Sequence, residues 1–208
     1  MTLPLLVVTA VAAEAEAVRQ GADLAHIVVE PVGVGPAAAA AGTARLLATG
    51  RYCAVVSAGI AGGFPGRAPV GSIVLGARSI AADLGAETPD GFLPVDELGF
   101  GTSVLPCDPA FLKALTAELP EAIVGDVVTL STVTGTKRTA DRLAESYPQA
   151  VAEAMEGYGV AVAAAGLPFA ELRAISNPVG PRDRAAWRLR EAFAALSTAS
   201  GRLWTACG

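Results

Sequence analysis

The sequence predicts an α/β fold: one domain with a mixed, mainly parallel central sheet flanked by helices. Three observations point there. Short β-branched runs alternate with longer Ala-rich segments, the order that threads strands and crossover helices into a parallel sheet. The first run, Leu-Leu-Val-Val-Thr at residues 5–9, is apolar throughout, as a strand covered on both faces requires. The chain has 208 residues, 52% apolar and 17% charged, with no internal repeat and no linker-like stretch, so residues 1–208 read as a single packed domain.

The elements follow in order. Residues 10–20 form an Ala-rich helix carrying Glu14, Glu16 and Arg19. Residues 27–29 make a second strand, and the turn Gly33-Val34-Gly35-Pro36 opens a helix over 37–49. A third strand at 53–57 ends in a glycine loop at 59–63, and a fourth covers 70–75. Periodicity is lost from 81 to 106, where acidic residues, glycines and three prolines suggest an irregular insertion; such loops carry binding more often than core. A helix at 109–118, a strand at 122–130, a loop at 131–136, helices at 139–147 and 155–165, a late strand at 171–176 and a closing helix at 185–204 complete the chain.

Composition removes several functions. Fifteen Lys and Arg against twenty Asp and Glu give a net charge of −5, and no basic block is present. Nucleic-acid binding therefore lacks its main electrostatic driver. The apolar excess is mostly Ala, Val and Gly, and no uninterrupted run approaches the roughly 18–20 residues that cross a bilayer. The N-terminus lacks the cationic start of a signal peptide. Cys53, Cys107 and Cys207 are odd in number and widely spaced, without metal-type pairing. With His26 as the only histidine, neither a His/Cys metal cluster nor a Ser-His-Asp triad is expected. The chain reads as cytoplasmic and reduced, with no metal, no cofactor and no nucleic-acid or membrane partner.

Ligands of open α/β sheets bind beyond the carboxyl ends of the strands. That rule selects Glu14 after the first strand, the loop Gly59-Ile60-Ala61-Gly62-Gly63, the loop at 131–136, and Ser176-Asn177 after the late strand. Singly, each has a bland reading. Glu14 suits a solvated helix face, the glycine pairs suit tight turns, Met155 suits packing and Asn177 before Pro178 suits a turn. Glu156 can be a helix-dipole partner, yet it heads a segment without charge from Gly157 to Leu167. A buried carboxylate there needs partners, and ligand hydroxyls would supply them.

Taken together, the segments resemble the purine nucleoside hydrolase and phosphorylase superfamily, and its methylthioadenosine/S-adenosylhomocysteine nucleosidase branch in particular. The resemblance runs through Val8-Thr9-Ala10-Val11-Ala12-Ala13-Glu14, Gly33-Val34-Gly35, Gly59-Ile60-Ala61-Gly62-Gly63-Phe64, Val70-Gly71-Ser72-Ile73-Val74, Tyr147-Pro148-Gln149-Ala150, Met155-Glu156 and Arg173-Ala174-Ile175-Ser176. Within the superfamily the sequence looks most like the futalosine hydrolases, through the segments 82–92, 131–135 and 176–183. The resemblance implies a nucleoside phosphorylase-like fold and hydrolysis of futalosine to hypoxanthine and dehypoxanthine futalosine, in menaquinone biosynthesis. It also implies a homo-oligomer, because relatives are dimers or larger, with a small nucleoside and water as the partners in the reaction.

The roles it implies are these. Glu14 activates the water, Glu156 grips the ribose hydroxyls, and Met155 packs on the sugar. Val133 and Thr134 belong to the base-binding loop, Ile60, Ala61, Gly62 and Ser176 line the site, and Phe92 belongs to a substrate loop. Asn177 stands where adenine-specific nucleosidases carry an aspartate, and Ile60 where they carry a serine. A carboxamide both donates and accepts, which suits a 6-oxopurine, although it cannot deliver a full proton to the leaving base. Arg45 and Arg51 are the only cations between Gly33 and Gly63, which favours water over phosphate as the nucleophile. The competing readings are another purine nucleosidase or phosphorylase, acting on inosine-like or methylthioadenosine-like nucleosides, and a non-catalytic nucleoside-binding module.

Overall fold

Strand β1 (Leu5–Thr9) is fully buried and forms parallel pairs with β2 (Ile27–Pro31) and β3 (Val55–Gly63). The structure, a computed structural model, describes residues 2–89 and 91–207. Asp90, within one of the segments behind the resemblance, lies outside the described residues. From β3 the sheet runs through β9 (Ala150–Ala154), β8 (Ile123–Thr129), β4 (Ile73–Ala81) and β10 (Phe169–Pro178), with β7 (Val104–Pro106) on the edge of β4. Strand β10 also pairs with β3, so β3, β9, β8, β4 and β10 close into a ring. Most pairings are parallel; β3–β9, β10–β4 and β4–β7 are antiparallel. The sheet is mixed.

Helix α1 (Ala12–Gly21) and helix α6 (Leu189–Ser200) cover one side, where Leu5, Val7, Val18, Leu172 and Leu196 form the main core. Each such side chain contributes about 1.5–3 kcal/mol on burial. Helices α2 (Pro36–Thr49) and α5 (Gly157–Ala163) pack against each other over Leu6, Val8 and Val160. Helices α3 (Pro109–Glu118), α4 (Lys137–Ser146) and α7 (Leu203–Cys207) complete the layers. No helix among the described residues is long and apolar enough to cross a membrane.

Several expectations need correction. The glycine segment 59–63 is strand, not loop: β3 runs through it, because β10 pairs along its full length. Strand β4 begins at Ile73 and ends at Ala81, later than expected. Strand β9 replaces a stretch with no predicted element, and α5 starts at Gly157 rather than at Met155. The 81–106 stretch holds a hairpin, β5 (Gly85–Thr88) with β6 (Gly91–Pro94), and the edge strand β7. The closing helix is broken into a 3₁₀ turn at Arg184–Ala186, α6 and α7. The sulfurs of Cys53 and Cys207 face each other across 154 residues, and Cys107 is buried. Sequence spacing could not show that pair, since the contact depends on where α7 docks. His26 stacks on Trp204, ring centroids 4.6 Å apart, in a structural role.

Candidate active site

A cleft of about 320 Å³ opens beyond the carboxyl ends of β1, β3, β9 and β10. Glu14 reaches it from the first turn of α1. Val11 is the extended residue ahead of that helix, and the N–H groups of Ala10 and Val11 donate to Glu14 Oε2 at 3.0 and 3.2 Å. The glutamate thereby satisfies donors that a helix start leaves free. Its other oxygen accepts from Ile60 N at 2.9 Å. Glu14 is therefore no solvated face residue; it is 4% exposed. Burial lifts its carboxyl above the ordinary range, and the Ile60 N–H and the Arg173 charge pull it back only in part.

Glu156 lies between β9 and α5. Gly35 N donates to its Oε1 at 3.2 Å, and Gly35 holds a φ of 88° that favours glycine. Met155 N donates to Oε2 at 3.3 Å. The same oxygen faces Arg173 Nη1 at 3.5 Å.

Arg173 ties the acids together, and its role was not legible from its place in a strand motif. It is fully buried on β10. Its Nε donates to Glu171 Oε1 at 2.9 Å and its Nη2 to Ser57 Oγ at 3.0 Å. Glu171 is itself fully buried and accepts from the Ser79 hydroxyl. Burial works against the Arg173 charge, but Glu171, Glu156 and Glu14 outweigh it and hold the guanidinium above its ordinary pKa. One cation thus balances three acids. Gly59 makes the meeting possible: a Cβ there would stand 2.6 Å from Glu14 Oε1 and 2.8 Å from Arg173 Nη1.

At the end of β10 the pairing with β3 slips by one residue between Ile175 and Asn177, so that Asn177 lies opposite Gly62. A bulge of this kind re-aims a side chain. The Ser176 hydroxyl donates to Asn177 Oδ1 at 2.8 Å, and Asn177 Nδ2 donates to Pro178 O at 3.1 Å. Ile60, Ala61, Gly62, Val133, Thr134, Met155, Glu156, Ser176, Asn177 and Glu14 all line the cleft.

Phe92 does not. It is on the β5–β6 hairpin and lines a neighbouring cavity that shares Val133 and Thr134 with the cleft. The hairpin holds it beside the cleft rather than in it. Glu153 was missed: it is buried, lines the cleft and accepts from Thr134 N at 2.7 Å and from the Thr134 hydroxyl. The apolar Ala-rich context of β9 hid it. Of the two arginines after Pro181, Arg182 lines the cleft, with its guanidinium 5.9 Å from the centroid of the Trp187 ring. Among the described residues no group of His, Cys, Asp or Glu is arranged to hold a metal.

The phosphorylase superfamily model matches residues 13–206. The chain belongs to the phosphorylase superfamily. Among curated relatives, a futalosine hydrolase of Streptomyces coelicolor is 60% identical over 82% of this chain and 75% of its own length. A futalosine hydrolase of Acidothermus cellulolyticus is 47% identical over 96% of this chain and 92% of its own. Within the superfamily the chain therefore falls in the futalosine hydrolase family. The fold is that of a methylthioadenosine/S-adenosylhomocysteine nucleosidase from Neisseria meningitidis, with a TM-score of 0.83 at 19% identity over 97% of this chain and 98% of that one. A futalosine hydrolase structure from Helicobacter pylori superposes with a TM-score of 0.79 at 17% identity, covering 100% and 97% of the two chains.

Proposed function

We infer that this chain hydrolyses the N-glycosidic bond of futalosine, releasing hypoxanthine and dehypoxanthine futalosine as a step of menaquinone biosynthesis. One observation carries the reading. Glu14 and Glu156, far apart in sequence, meet at the same buried Arg173 beside a cleft that also holds Asn177.

Cleavage passes through an oxocarbenium-like state, as in glycoside hydrolysis. Three carboxyl groups around one guanidinium leave an acidic floor that favours positive charge developing on the sugar. Glu14, fixed by three backbone N–H groups, keeps about one of its four lone-pair sites, on Oε1, to orient water and accept its proton. Glu156 takes the 2′- and 3′-hydroxyls and holds the ring in its reactive pose, with Met155 against the sugar. The Ser176 hydroxyl fixes the Asn177 amide, which accepts from N7–H and donates to O6 of the departing hypoxanthine. Arg182 is the only Lys or Arg lining the cleft among the described residues. A phosphate clamp needs more cationic donors, so water is the nucleophile.

The test is direct. The protein is incubated with futalosine, inosine and methylthioadenosine, with and without phosphate, and the released base is identified. Hypoxanthine from futalosine, at a rate independent of phosphate, is the expected result. Phosphate-dependent release, or preference for methylthioadenosine, would overturn the reading.

A further inference from the structure

Of the three acids around Arg173, Glu171 alone does not line the cleft. It is fully buried on β10, beyond the reach of a bound nucleoside. Arg173 Nε donates to its Oε1, and the Ser79 hydroxyl donates to its Oε2. A donor on each oxygen suits an ionised carboxylate, which only accepts.

The guanidinium divides its contacts unequally. It stands 2.9 Å from Glu171 and 3.0 Å from the Ser57 hydroxyl, but 3.5 Å from Glu156 Oε2. Glu156 is loosely held on its other sides too: Gly35 N and Met155 N lie at 3.2 and 3.3 Å, the long end of the range for such bonds. Burial works against the Arg173 charge, and Glu171 does more than Glu156 or Glu14 to sustain it. Buried charges are weakly screened, so the nearest acid takes the largest share of the attraction. The backbone makes room for that acid. A Cβ on Gly157, the residue after Glu156, would collide with both Glu171 oxygens.

We propose that Glu171 is a positioning residue: by holding the Arg173 guanidinium through Nε, it keeps Glu156 from closing into a tight ion pair and leaves that carboxylate free for the ribose 2′- and 3′-hydroxyls. This rests on the hydrolase reading above. Without the Glu171 charge, one buried cation would face two acids instead of three, and Glu156 would be drawn onto it. Each lone pair given to Arg173 is one withdrawn from the sugar. The loss falls on the hydroxyl bonds and on no other part of the nucleoside.

The alternative is that Glu171 only ties β10 to β4 through Ser79. Glu171→Gln removes the charge while keeping the size and an acceptor for Arg173 Nε. Glu171→Asp keeps the charge but draws it back by one methylene. For wild type and both variants, kcat/KM is measured for futalosine and its 2′-deoxy analogue, with thermal unfolding alongside. The ratio of the two values reports the grip on the hydroxyls. Glu171→Gln should lose about tenfold of the wild-type ratio, as expected when a hydrogen bond to a charged group is given up, and Glu171→Asp should fall between the two. A merely structural defect lowers Tm and both rates together and leaves the ratio alone. Either folded variant with the wild-type ratio overturns the proposal, so the test stands even if the other does not fold. Failure to release purine from any nucleoside sinks the hydrolase reading instead, and calorimetric binding of inosine and 2′-deoxyinosine to the same proteins then decides the role of Glu171.

Discussion

Replacing Gly59 by alanine adds one methyl group where Glu14 and Arg173 converge. The new carbon would lie 2.6 Å from Glu14 Oε1, where an ordinary contact begins at 3.4 Å, so the carboxylate must withdraw by about 0.8 Å. That retreat lengthens the 2.9 Å bond from Ile60 N. A hydrogen bond to a charged group contributes about 1.5–3 kcal/mol. Misplacing a reacting group by about 1 Å costs on the order of 100-fold in rate. We therefore expect kcat to fall about 100-fold. Forcing the methyl into a packed site also costs about 1–3 kcal/mol of stability, which for a chain of this size lowers Tm by roughly 2–12 °C. The assay is hypoxanthine release at saturating futalosine, with thermal unfolding of the same preparation alongside. A lowered Tm with nearly unchanged kcat would show that the methyl is accommodated at Glu14 without consequence for the reaction, and the reasoning would fail.

Four other outcomes are expected. Glu14→Gln should retain nucleoside binding and lose nearly all turnover, and the wild-type acid limb of kcat/KM should lie above the usual carboxylate range. The sign follows from the raised Glu14 pKa: the base is protonated, and activity lost, as pH falls through that value. A limb at the ordinary glutamate position would contradict it. Asn177→Asp should move preference toward 6-amino nucleosides, by about one order of magnitude if one buried hydrogen bond changes sense; unchanged selectivity in paired kcat/KM measurements would refute the reading. Arg182→Ala should raise KM for futalosine, whose side chain bears a benzoate, about tenfold while leaving inosine unaffected, since one charge-assisted bond at the rim is lost. Equal effects on both nucleosides would place Arg182 in loop structure alone.

Much of this architecture is legible in the sequence because apolar runs and periodicity are local signals. Strand β1 is found at its observed limits, as is α3, which starts on Pro109 behind an Asp108 cap accepting from Phe111 N. Helix α2 begins one residue ahead of expectation, at Pro36. Strand β3 is underestimated because glycines weaken strands taken alone, and only pairing with β10 extends it to Gly63. Strand β9 is missed because Ala150-Val151-Ala152-Glu153-Ala154 combines a weak strand propensity with a charge that looks exposed. In the site, Glu14, Glu156 and Asn177 could be selected because strand ends and a family resemblance marked them. Arg173 and Glu153 could not, because their meaning lies in partners far away in sequence: Ser57 and Glu156 for one, Thr134 and Gly62 for the other. Phe92 stands outside the cleft, beside a neighbouring cavity. Its hairpin strands pair with each other, and position along the chain does not say which cavity they overhang.

The one-residue slip beside Ser176 makes length as informative as identity at this end of β10. Were the strand drawn straight by deleting the extra residue, Ser176, Asn177 would still face Gly62, but no hydroxyl would anchor its amide. Homologues that differ by a gap at this corner, with every neighbouring letter intact, would then be expected to discriminate less sharply between bases.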